Sequence, residues 1–167
     1  MSRVQDALVR EQHDQGLEQL YREDGGRLWR AILAYSGDRE VANDAVAEAF
    51  AQALRRGDAI NRPQAWVWRA AFRIAAGEMA NRARFLQVHH GGAPAVDTEP
   101  LEDPSGVLMT ALRKLSPKQR GALILYHYAG YPVLDVARIL GSTSGAVRVH
   151  LSKGRRRLRE LLGDERE

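Results

Sequence analysis

From Phe85 to Ser105 the chain reads FLQVHHGGAPAVDTEPLEDPS, a stretch without one Lys or Arg in a protein of 167 residues that carries 25 of them. Gly91, Gly92, Pro94, Pro100 and Pro104 oppose both helix and strand there, and the clustered carboxylates repel one another. Such a segment reads as a linker. The chain is therefore expected to fold as two units joined by a flexible acidic linker over residues 85–106. Fully extended, that linker spans at most about 70 Å at roughly 3.3–3.6 Å per residue, so the two units need not touch.

Both flanks carry apolar residues at helical spacing. Leu17, Leu20, Leu28, Ile32 and Leu33 form one stripe, and Ser36-Gly37-Asp38 supplies a stop and a new N-cap. Val41, Ala42, Ala45, Val46, Ala49, Phe50 and Leu54 continue the pattern to Arg56-Gly57-Asp58, and Asn61-Arg62-Pro63 opens a third helix running to about Arg84. Beyond the linker, Val107, Leu108, Ala111, Leu112 and Leu115 mark a short amphipathic helix. Ser116-Pro117-Lys118-Gln119 then has the form of a capping box with proline at the first helical position, and that helix is expected to reach about Ala129-Gly130. The fold class is all-α. Its expected organisation is an N-terminal extension (1–15), a bundle of three to four helices (16–84), the linker (85–106) and a four-helix domain (107–167).

Charge divides the chain at the same place. Residues 1–105 hold 13 basic and 16 acidic groups, a balance of −3, while residues 106–167 hold 12 and 5, a balance of +7. Concentrated cationic charge favours a polyanion, and nucleic acid leads as partner. All cations but Lys114, Lys118 and Lys153 are arginines, suited to bidentate contacts with phosphate and guanine.

Several classes of chemistry find no support. With no cysteine there is no disulfide framework, thiolate zinc site or cysteine nucleophile, in keeping with a reducing, cytoplasmic compartment. No glycine-rich phosphate loop, nucleophile with an adjacent base, or set of metal ligands is visible, so neither enzymatic activity nor a cofactor or metal is expected. No apolar run approaches the roughly 18 residues of a membrane-spanning helix, and Met1–Leu20 is too charged for a signal peptide. A soluble, unprocessed chain without membrane insertion is expected.

The segment VLDVARILGSTSGAVRVHLSKGRRRLREL, from Val133 to Leu161, has helix-turn-helix spacing. Ala137 falls where the two helices cross, Gly141 in the turn where a positive φ is needed, and Val147 points back into the shared core with Val136 and Leu140. The second helix is expected to start near Thr143 or Ser144. At 100° per residue Val147, Leu151, Gly154 and Leu158 share its core face, leaving Arg148, Val149, Ser152 and Arg156 for a DNA groove. Lys153, Arg155, Arg157 and Arg159 are expected on the duplex backbone and His150 at the edge of the surface. Lys118, Arg120 and Ser144 complete the candidate duplex contacts.

The two halves together resemble the extracytoplasmic-function (ECF) sigma factors of bacterial RNA polymerase. In the first half the resemblance is carried by Leu20-Tyr21, Gly37-Asp38, Asp44, Glu48, Phe50 and Pro63, Trp66 and Arg69; in the second, by Ser116-Pro117, Gln119-Arg120 and the helix-turn-helix. It implies promoter recognition and transcription initiation on core RNA polymerase. Asn43, Asp44, Val46, Glu48 and Gln52 would bind the coiled-coil clamp of the largest polymerase subunit. Trp66, Trp68, Arg69, Phe72 and Arg73 would capture the melted promoter strand, since interleaved aromatics and cations stack and hold splayed bases. Trp68 and Phe72 lie four apart, and packing is the expected fate of at least one. The chain departs from the family pattern at Ala47, Phe72-Arg73, Gly77-Glu78, Val149 and His150. The resemblance also implies an anti-sigma partner. The alternative reading is a stand-alone helix-turn-helix regulator with an N-terminal bundle that dimerises or binds a ligand.

Overall fold

The computed structural model describes residues 2–89 and 104–163, which form seven α-helices and no strand. Three belong to the first half: α1 (Ser2–Ser36), α2 (Arg39–Arg56) and α3 (Pro63–His89). Four belong to the second: α4 (Pro104–Arg113), α5 (Pro117–Leu123), α6 (Val133–Leu140) and α7 (Ser144–Gly163). The apolar positions of the first half do converge. Leu28 and Ile32 of α1, Val41, Ala42, Ala45 and Ala49 of α2, and Val67, Ala71 and Ala75 of α3 are all buried. Alanines along α2 let the helices approach closely, and the long side chains of α1 and α3 fill the space between.

Helix ends follow local chemistry. Asp38 caps α2, its Oδ1 accepting from the backbone N–H groups of Glu40 at 2.8 Å and Val41 at 3.1 Å, and Arg82 of α3 pairs with its other oxygen. Ser116 caps α5 with the complete capping box, Gln119 N–H to Ser116 Oγ and Ser116 N–H to Gln119 Oε1. After α5 the helix widens into one π turn, Ile124–Tyr128, closed by Ala129 N–H on the Ile124 carbonyl at 3.0 Å. Such turns accommodate an extra residue and swing the side chains that follow. Here Tyr126, His127 and Tyr128 are turned outward.

Three boundaries differ from their expected places, one of them the start of α4 at Pro104, three residues inside the expected linker. α1 takes in the N-terminal extension, because Ser2–Gln15 contains good helix formers and no Gly or Pro, although Val4 and Leu8 stay exposed. α3 runs past Arg84 to His89. The acidic linker falls mostly outside the described residues.

The halves touch. One continuous apolar core runs from α1, α2 and α3 into α4, α5, α6 and α7. Gly121 lies at the seam: a Cβ there would stand 3.2 Å from the Tyr35 ring of α1 and 3.1 Å from Leu140 of α6. A side chain at this point would press on both neighbours, so glycine lets α5 settle closely against α1.

The cap at Asp38 yields a stability prediction. Burial alone raises its carboxyl pKa, but the N–H donors of Val41 and Glu40 and the Arg82 guanidinium outweigh this and hold it below the usual carboxylate range. A depressed folded value means that the stabilisation is complete above the unfolded pKa of about 4 and disappears as pH falls through the folded one. Asp38→Ala is expected to lower stability by about 1 kcal/mol at pH 7. Urea unfolding at pH 7 and near pH 3 checks this, and a difference from the parent chain that does not shrink in acid contradicts the cap's role.

Candidate nucleic-acid interface

Thr143 opens α7, its Oγ1 accepting from Ala146 N–H at 3.2 Å. The preceding turn is set by Gly141, which has φ +63° and closes α6 in the left-handed conformation. These two local devices aim α7. Its inner face is locked by Val147, Leu151 and Gly154, all buried, against α5 and α6. Val136 and Ala137 of α6 are buried opposite, where the spacing expects them.

That packing leaves the outer face of α7 to solvent. Arg148, Ser152 and Arg156, four apart, form an exposed ridge with Lys153 beside it, and Val149 is 48% exposed. No carboxylate engages Arg148, Lys153 or Arg156 among the described residues. Arg157 pairs loosely with Glu160 at 3.5 Å, and Arg155 stands 3.5 Å from the His127 ring. Ser144 and His150 are half-buried at the margins, and Lys118 is exposed on the first turn of α5.

Arg120 lies elsewhere. Instead of joining this surface it is 8% exposed, donating Nε–H to the Tyr35 carbonyl at 2.7 Å and Nη1–H to the carbonyls of Leu115 at 3.1 Å and Leu112 at 3.4 Å. Tyr35 and Leu112 lie in the last turns of α1 and α4, where the dipole is negative, and the Leu112 carbonyl also accepts from Leu115 N–H at 3.1 Å. Burial pulls the Arg120 pKa down, Tyr35 opposes this, and Arg113 adds to it. Its expected phosphate contact is replaced by this interior role.

In the first half, Asn43, Asp44, Glu48 and Gln52 lie along one accessible side of α2. Asn43 Oδ1 accepts from the Trp29 indole N–H at 2.7 Å. Glu48 accepts from the Gln52 amide at 3.0 Å and from Arg55 at 2.8 Å, and these donors lower its carboxyl pKa. Val46 is 5% exposed and belongs to the core, so it offers no surface to a partner.

The aromatics of α3 are divided. Trp68 and Phe72 are each 1% exposed, with their rings stacked 6.3 Å apart, and Trp68 Nε1–H donates to Asp24 Oδ2 at 2.6 Å. Both expected base-stacking rings are thus packed inside, because the interior needs their volume and Asp24 satisfies the indole N–H. Trp66 is half-buried, while Arg69 and Arg73 are exposed. Trp66 and Arg69 line a cleft of about 260 Å³ together with Arg56, Arg62, Tyr131 and Arg138. Tyr131 was not singled out in the sequence analysis. It meets Trp68 edge-on at 5.7 Å, and burial first, then the Asp24 charge, pushes its hydroxyl pKa up to about 12.

The chain resembles known proteins over most of its length. Residues 105–158 match the family described as Sigma-70, region 4. The chain is 32% identical over 152 residues to the ECF RNA polymerase sigma factor SigM of Mycobacterium tuberculosis (strain H37Rv), covering 87% of this chain and 76% of that protein. It is 30% identical over 155 residues to SigL of the same species (strain Erdman), covering 86% of each. Among solved structures it resembles the sigma factor RpoE in complex with the anti-sigma factor NepR from Bartonella quintana, with a TM-score of 0.77 at 24% identity over 89% of this chain and 98% of that one. It also resembles CnrH in complex with the cytosolic domain of CnrY, with a TM-score of 0.65 at 20% identity over 94% and 96%. The chain belongs to the ECF RNA polymerase sigma factor family.

The interior role of Arg120 is open to measurement. Arg120→Ala is expected to cost about 3 kcal/mol or more, because it strips buried carbonyls of their donor. Arg120→Lys recovers only part, since one ammonium lacks the planar fork. Urea midpoints of the two variants decide, and a loss under about 0.5 kcal/mol for either contradicts the assignment.

Proposed function

We propose that the chain directs core RNA polymerase to promoters by dividing the work between its two halves. The observation that carries this reading is the exposed ridge Arg148, Ser152, Arg156, flanked by Val149 and Lys153, on a helix whose opposite face is fixed in a helix-turn-helix core. Arg148 and Arg156 present planar donors to guanine or phosphate, and Val149 presents an apolar surface to a thymine methyl. Ser144, His150, Lys118, Arg155 and Arg157 border the ridge and hold the duplex backbone.

In the first half Asn43, Asp44, Glu48 and Gln52 meet the polymerase clamp, where carboxylates pair with arginines. The melted strand is received by Trp66, Arg69 and Arg73, with Arg56 and Arg62 joining them from the cleft. Trp68 and Phe72 act through that surface only by shaping it from inside. One comparison structure is a sigma factor bound to the anti-sigma factor NepR, and an anti-sigma protein is proposed here as well. The chain recognises and positions, and no reaction of its own is proposed. It acts where promoter DNA is, in the cytoplasm, and no described helix is long and apolar enough to cross a membrane.

Reconstitution with core polymerase and a genomic fragment library tests the reading. Initiation at a discrete set of fragments is expected, and none at all with folded protein contradicts it. Arg148→Ala is expected to weaken promoter binding by about 1–3 kcal/mol and to relax selectivity, whereas Arg157→Ala weakens binding to all sequences alike and reduces the salt slope by about 1. Titrations on promoter and random duplexes at several salt concentrations separate the two. Equal losses on both duplexes for Arg148→Ala contradict base reading.

A further inference from the structure

The cleft of about 260 Å³ beside Trp66 has cationic walls. Arg56 ends α2, Arg62 stands just before α3, Arg69 lies on α3, and Arg138 comes from α6. Against these four exposed guanidiniums stands one carboxylate, Asp135, which leaves a surplus of three positive charges. Among the described residues Arg138 alone of the four is ion-paired, to Asp135 at 3.4 Å, and with its side chain 61% exposed the pair is weak. Three of the arginines belong to a half whose overall balance is −3, so the local charge runs against that of its surroundings.

Aromatic and apolar groups complete the lining. Trp66 is half-buried, with the Arg56 guanidinium 6.0 Å from its ring centre, and Ile60 and Ile139 add buried apolar surface. Tyr131 contributes a phenol that burial, and then the Asp24 charge, keeps protonated at neutral pH, so it offers a donor and no negative charge. We propose that this cleft is a binding site for a free nucleoside diphosphate, with the base against Trp66 and the phosphoryl groups held by Arg62, Arg69 and Arg138.

Charge and size favour that ligand class. A nucleoside diphosphate carries roughly three negative charges at pH 7, about two on the terminal phosphoryl group and one on the inner one, which matches the surplus. A phosphodiester strand supplies one charge per nucleotide and leaves most of it uncompensated. The volume lies near the lower end, about 300 Å³, of small-molecule sites, and planar guanidiniums take phosphoryl oxygens bidentately while an indole stacks on any base. Trp66 and Arg69 are also proposed for the melted strand, so nucleotide and strand exclude each other. That consequence, unlike the binding itself, rests on the sigma-factor reading.

Equilibrium dialysis of the full chain against adenosine diphosphate, adenosine and inorganic pyrophosphate tests the site. The diphosphate is expected to bind once per chain, with adenosine and pyrophosphate each at least about tenfold weaker. Arg138→Ala is expected to weaken the diphosphate about tenfold, Trp66→Ala to weaken it while sparing pyrophosphate, and Arg3→Ala, an exposed arginine outside the cleft, to change nothing. Pyrophosphate binding as tightly as the diphosphate overturns the nucleotide class. Equal losses for Arg3→Ala and Arg138→Ala, or no binding below about 1 mM, overturn the site. With core polymerase and a promoter-bearing fragment, adenosine diphosphate is expected to reduce promoter melting by the parent more than by Arg138→Ala, and an equal reduction overturns the exclusion. Absence of melting without any nucleotide overturns the sigma-factor reading and leaves the dialysis result standing.

Discussion

A buried guanidinium with no carboxylate paired to it among the described residues holds the molecule's central corner. Arg120 is stable there because the negative ends of two helices converge on it, α1 through the Tyr35 carbonyl and α4 through the Leu112 carbonyl. The planar fork satisfies acceptors that water would otherwise have to reach, and those acceptors repay part of the desolvation of the charge. Its neighbour Gly121 removes the bulk that would keep α5 from Tyr35. The junction of α4 with α5 and the docking of one half on the other both pass through this point.

Around that corner the arginines fall into distinct roles. Arg120 serves the interior, Arg27 and Arg30 the contact between halves, and Arg148 and Arg156 face outward with no carboxylate to occupy them among the described residues. The outward pair keeps its charge available because the inner face of α7 is apolar and α5 and α6 supply no acid opposite the ridge. Glu48 and Asp38 show the reverse case: nearby donors lower the pKa of both carboxyls, one on the accessible side of α2 and one at a helix start.

Much of this was legible from residue order. Asp38, Ser116 and Gly141 act through atoms within a few residues of themselves, and each occupies the role its local pattern announces. The division of α7 into an apolar and a cationic face was equally plain, since it needs only the helical period. Trp68, Phe72, Val46 and Arg120 were harder to read. Each sits among residues suited to binding, and whether such a side chain faces a partner or the core depends on which neighbouring helix covers it. Asp24 lies 44 residues from Trp68, and the Tyr35 carbonyl 85 residues from Arg120. No local pattern announces contacts at such separations.

The order of residues alone determined the helical class, the starts and stops of most helices, the turn before α7 and the cationic ridge, because caps, glycine turns and periodicity operate over one or two helical turns. Only the tertiary structure decided that the halves close on each other, that Arg120 turns inward and that Trp68 is sealed between Asp24, Phe72 and Tyr131. Those outcomes come from matching distant surfaces in volume and hydrogen-bonding capacity, and that match exists only once the helices are assembled.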